Sequence, residues 1–283
     1  MPDCSLRQPF AALLLCVACG PGVDRPTLDL PERPADAPGG DAIVNDIRGL
    51  DQAAREERIF EEVASGNVPG WLRRLSRVEM SGQVEGRTHH VTFWVTPDYL
   101  AVGSADDNLL IPLSARTAQR IADLTGGSLP TPRMVDAIWA AADLRVEPIR
   151  FRPDEFMRSV DYIERHDDLV KAQLMVYNES RGVFLAGHKL DVVITASLSE
   201  HPGEIAIYGW HRSNGIPVQS LYVGATDSLV AFSHGVRLVH RAVLVDGVPR
   251  DLHEVLGDTA LAPILSAGGV IAHARYPEPA GAQ

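Results

Sequence analysis

All three cysteines of this chain, Cys4, Cys16 and Cys19, fall within its first nineteen residues, so nothing beyond that point can be closed by an internal disulfide. The rest must be held by a buried core alone. With 283 residues, 45% hydrophobic and 22% charged, the chain has enough apolar material for one or two domains and is unlike a disordered tail. Asp and Glu number 37 against 26 Lys and Arg, a net charge of -11, and no basic block interrupts that balance. Affinity for nucleic-acid phosphates comes from clustered cations, so this composition argues against a nucleic-acid partner. The one run of membrane-like apolarity, Phe10 to Ala18, is nine residues long. A membrane-crossing helix needs about 20.

The first nineteen residues give a short polar start with Arg7, an apolar stretch and small residues before Cys19, the layout of a secretory signal. The segment Cys16-Val17-Ala18-Cys19 resembles the bacterial lipoprotein lipobox, with Cys16 where Leu is usual and Asp3 diluting the positive start. That resemblance implies a signal peptide over 1–18, acylation of Cys19, and an exported protein anchored by lipid to a bacterial membrane on its periplasmic or surface side. A single cysteine left at the new N-terminus suits acyl attachment. Residues 19–40, rich in Pro, Gly and Asp, are expected to form a disordered tether.

The expected fold class is α+β, with a helix-rich N-terminal lobe holding a small sheet over 41–150 and an antiparallel β-meander lobe over 151–283. Ala42 to Val63 carries apolar residues at helical spacing and predicts one long helix. Glu85-Gly86 between alternating runs predicts a hairpin, followed by short strands at Tyr99–Gly103 and Leu109–Leu113. Ser114 and Thr131-Pro132 mark two helix starts. The prolines of Glu147 to Asp154 suggest the lobe boundary. Beyond it Asp191–Leu198, Glu204–His211, Ile216–Val223 and Val236–Val245 read as the strands of the meander, with short helical segments at Leu252–Leu256 and Ala260–Leu265.

The polar residues with chemical potential gather between Asn178 and Arg237. If Leu198 stands opposite Glu204 across a tight loop, Asp191 pairs with His211 at one rim of the sheet, beside His188, Lys189 and the loop that carries Ser233 and His234. In one use of this cluster, His188, Asp191 and His211 bind a zinc ion with an open water position, and His234 adds a ligand or a proton donor. In the other, a histidine oriented by Asp191 is a metal-free general base toward water or the Ser233 hydroxyl. Glu179 is a further carboxylate suited to general base. With 24 Arg and only two Lys in the chain, Lys189 runs against its own usage and could bind a substrate carboxylate, as could Arg237. Tyr208 and Trp210 fall on the strand face opposite His211, which suits core packing. Each residue also has a plain structural reading, as a turn, cap or strand-end group.

The run Ser233-His234-Gly235-Val236-Arg237 resembles the Ser-His-Gly-Cys-x-Arg motif of L,D-transpeptidases, which modify peptidoglycan at the cell surface. No cysteine lies between Gly235 and Arg237, so the thiol chemistry of that family is excluded. Trp210-His211 is similar to the Trp-His ending of zinc D,D-carboxypeptidase motifs, without their preceding Glu. Both resemblances point toward envelope substrates. The sequence thus suggests a hydrolase of peptide or amide bonds with a His/Asp site, and as the alternative a non-catalytic lipoprotein that binds a ligand or partner. Elsewhere, His89-His90 lie on opposite strand faces, Ser104-Ala105-Asp106-Asp107-Asn108 reads as a turn, and no phosphate-binding glycine loop occurs.

Overall fold

The computed structural model describes residues 25–152 and 154–277; the signal, Cys19 and the start of the tether lie outside them. The chain is α+β, with seven α-helices and several mainly antiparallel sheets among these residues. Strands Ser76–Val84 and Arg87–Val95 form the hairpin predicted at Glu85-Gly86, and both turn residues have positive φ (49° and 79°), as a tight two-residue turn requires. Two strands cannot bury their own apolar face. Strand Arg87–Val95 is therefore paired on its far side by Val239–His240 and Ala242–Val245, from the other half of the chain.

That pairing removes the expected division near residues 147–154. One hydrophobic core runs through Ile43, Phe93, Leu110, Ile163, Val192, Phe232 and Tyr276, and both halves contribute to it. The meander is likewise reduced to three strands, Leu190–Val192, Glu204–His211 and Pro217–Thr226. The fourth position is taken by the two residues His234–Gly235, which run parallel to Leu190–Val192, while the following chain crosses to the first sheet.

Residues 25–40, expected as tether, are packed on the body from Arg25 onward. Leu28 is buried, Asp29 N–H donates to Thr125 O at 3.0 Å, and Arg33 reaches the Asn67 side chain at 2.8 Å. Arg73 in turn donates to the carbonyls of Leu30 and Pro31. A few apolar and Arg contacts thus outweigh a polar composition. The expected helix over 42–63 is two, Gly40–Ile47 and Gln52–Ala64, because Asp51 leaves helical geometry and caps the second by accepting from Ala54 N–H. Ser114 and Thr131 cap Ala115–Leu124 and Pro132–Ala141 as expected. The longest helix, Val160–Val176, has no counterpart in the sequence reading. Its buried stripe includes His166 and Asp167, and those polar residues break the apolar period that would have shown it.

Candidate functional site

The Ser233–Arg237 run is placed first by its backbone. His234 and Gly235 pair with Leu190 and Asp191, and a Cβ on Gly235 would stand 2.5 Å from the Tyr99 ring and 2.7 Å from Lys189 Cβ. Glycine there lets Tyr99 lie flat against the strand. The Tyr99 hydroxyl then donates to Asp191 Oδ2 at 2.7 Å, and the Arg237 guanidinium sits 4.2 Å from the ring centre on a cation–π contact. Arg237 is fully buried and donates to Thr96 O at 2.8 Å and Leu185 O at 2.7 Å, so it joins three backbone segments and offers nothing to a substrate.

Behind Tyr99 lies an inner polar network. His188 Nε2 is 3.0 Å from Asp98 Oδ1, Asp98 Oδ2 accepts from Arg181 at 2.8 Å, and Arg181 donates onward to Asp167 at 2.6 Å. Burial alone would raise the Asp98 carboxyl, but His188 and Arg181 outweigh it and hold Asp98 well below the usual carboxylate range. Burial also lowers His188 to about 4 against the pull of Asp98, which leaves a neutral imidazole beside an ionised carboxylate. Lys189, fully buried, donates its ammonium to Phe232 O at 2.6 Å, and burial lowers it to about 7. His234 and Ser233 are buried too, and desolvation lowers His234 to about 4. His188, Lys189, Ser233, His234 and Arg237 thus sit inside the fold rather than at the rim expected of them.

A second, outer cluster holds Asp191 and His211, through a register three residues from the predicted one. Asp191 pairs with Tyr208, not His211, because Leu190–Val192 is short and the chain then turns through Ala196–Ser199. The two side chains face one gap without pairing: a Cβ on Gly209 would stand 3.4 Å from both Asp191 Oδ2 and His211 Cε1, while Asp191 is bonded to Tyr99 and His211 to Asp136. Gly209 (φ 105°) and Trp210 (φ 58°) form the cause, a kink that breaks the two-residue alternation. It corrects the expected facing as well, since Tyr208 and His211 both reach Asp136 Oδ1, at 2.7 and 2.9 Å, with their rings edge to face at 5.7 Å. Trp139 stacks on His211 at 5.8 Å. Burial raises the Asp191 carboxyl to about 6, while Arg237, the Tyr99 hydroxyl and His211 pull it down. Asp191 and His211 are themselves buried, and the cluster reaches solvent at Asp136, which is half-exposed at 51%.

Among the described residues no group of three or more His, Cys, Asp or Glu side chains is placed to hold a metal ion. His188 faces Asp98, His211 faces Asp136, and the expected zinc ligands His188, Asp191 and His211 are not gathered into one set. Glu179 is exposed, lines a surface cavity, and forms no hydrogen bond or ion pair with this group. The sequence reading missed Asp98, Tyr99, Asp136, Asp167 and Arg181, which reach the cluster from distant segments without any local motif. No protein-family description, curated protein or solved structure matches the chain.

Proposed function

We propose that the chain is an exported bacterial envelope lipoprotein, anchored through Cys19, that hydrolyses peptide or amide bonds by acid–base chemistry at Asp191 and His211. The observation that carries this reading is the outer cluster: a histidine fixed by Asp136 and Trp139, next to a buried carboxyl titrating near neutrality. A carboxyl so placed can hold or release a proton near physiological pH, and the histidine across the gap can relay it through a water or substrate bound between them. Asp136, held by the Tyr208 hydroxyl, would orient the His211 ring and stabilise its cation, and Asp191 would hold or release the proton. The lipobox-like segment and the resemblance of Ser233–Arg237 to an envelope enzyme motif support the setting. The test is turnover of short envelope-type peptides by the full chain in detergent, read by mass spectrometry, with His211→Ala beside wild type. Loss of about 10²- to 10⁴-fold in the variant supports the reading.

One observation favours a second reading, a non-catalytic lipoprotein that binds a ligand. Seven of the residues singled out as chemical, His188, Lys189, Asp191, His211, Ser233, His234 and Arg237, are buried, and Lys189 and Arg237 are bound to backbone carbonyls. On that reading wild type turns over no peptide and His211→Ala leaves ligand binding intact.

A further inference from the structure

A cavity of about 680 Å³ lies on the surface between the turn Gly70–Arg73, the loop around Asp106 and the last turns of helix Val160–Val176. Its size is that of a small-ligand site. Trp71, Leu174 and Met175 give it apolar walls, and Met175 is 77% exposed. Around them stand charges of both signs. Arg74, Asp106 and Glu179 are exposed and make no side-chain hydrogen bond or ion pair among the described residues, so one cation and two carboxylates are left to face a ligand. The other two lining cations, Lys171 and Arg181, are held by Asp167, and Arg181 also by Asp98, so they are not free for a ligand. Gly182 (φ 102°) brings the loop onto Trp71, where a Cβ would stand 2.7 Å from Trp71 Cβ, so the wall that bears Arg181 is fixed by backbone geometry.

We infer that this cavity binds a zwitterionic ligand of the amino-acid or short-peptide class. Its carboxylate meets Arg74, its ammonium meets Glu179 and Asp106, and its apolar part lies on Trp71 and Met175. A carboxylate alone would leave Glu179 and Asp106 unanswered, and an ammonium alone would leave Arg74 unanswered. The inference goes beyond the hydrolase reading and does not depend on it, since Glu179 forms no contact with Asp191 or His211.

The test is calorimetric titration of the full chain, in detergent, with an unblocked alanine dipeptide, its N-acetylated form and its C-amidated form. Saturable one-to-one binding of the unblocked dipeptide is expected, with each blocked form at least about tenfold weaker, the loss of one charge-assisted contact. Arg74→Ala should bring the unblocked dipeptide down to the affinity of the amide and leave the amide unchanged; Glu179→Gln should do the same with respect to the acetylated form. His211→Ala should bind like wild type, so a failure of the catalytic reading leaves this result standing. No saturable binding of the unblocked dipeptide, or equal binding of the blocked forms, overturns the inference.

Discussion

Tyr99 donates its hydroxyl to Asp191 across 2.7 Å, with both side chains buried and the Arg237 guanidinium on the Tyr99 ring. One hydroxyl thereby ties the end of the first sheet's main hairpin region to the strand that carries the candidate acid. It also donates to a carboxyl that burial would otherwise keep protonated at still higher pH.

Removing that hydroxyl with Tyr99→Phe is expected to cost about 1–3 kcal/mol, the penalty for leaving a buried acceptor without its donor. Urea unfolding at neutral pH measures it. The same variant should move the Asp191 titration upward, because the hydrogen bond favours the ionised form.

Gly235→Ala tests the packing of the motif. A methyl group 2.5 Å from the Tyr99 ring and 2.7 Å from Lys189 Cβ forces one of them to move. A loss of about 1–3 kcal/mol in urea is expected from overpacking, together with weakening of the Tyr99 to Asp191 bond. Alanine at Gly49, where φ is not positive and a Cβ would meet nothing within 4 Å, is the control for mere loss of a glycine.

Arg237→Lys keeps the charge but loses the planar fork that reaches Thr96 O and Leu185 O together. A drop of about 3 kcal/mol in unfolding free energy is expected. A drop as small as that of an exposed arginine such as Arg74 would show that the guanidinium bridges add little.

Stability should depend on pH through Lys189 and Asp191 in opposite senses. Lys189 falls from 10.5 to about 7 on folding, so its contribution is fully present above 10.5 and is lost as pH falls through about 7. Between those limits the unfolded chain holds the extra proton, and stability rises by about 1.4 kcal/mol per pH unit from this residue. Lys189→Met should remove that component. Asp191 is raised from 3.8 to about 6, so its contribution is present below 3.8 and is lost as pH rises through about 6. Asp191→Asn should flatten that part of the curve. Urea midpoints from pH 4 to 10 read both.

Local chemistry was legible where the residues that decide it are neighbours. The Glu85-Gly86 turn and the Ser114 and Thr131 caps could be read because turn and cap preferences act over a few residues. The α+β class was legible for the same reason. The two-lobe division was not, since Val239–His240 and Ala242–Val245 reach back to Arg87–Val95 over a separation no local pattern records. The predicted pairing of Asp191 with His211 was three residues off in register, and only the kink at Gly209-Trp210 turns both toward one gap. Helix Val160–Val176 was hidden by two polar residues that turn inward, Asp167 to Arg181 and His166 against Phe151 and Phe232. Asp98, Tyr99 and Asp136 carry no motif and gain meaning only from the partners the fold gives them.

The central claim is tested most directly by the pH dependence of kcat/KM for peptide hydrolysis, measured from pH 4 to 9 on wild type, His211→Ala and Asp191→Asn. The account expects a wild-type profile with a limb near pH 6 that Asp191→Asn abolishes, a loss of about 10²-fold or more in either variant, and no change on treatment with a chelator. Absence of turnover by wild type, or variants that match it across the whole range, would contradict the account and leave the ligand-binding lipoprotein in its place.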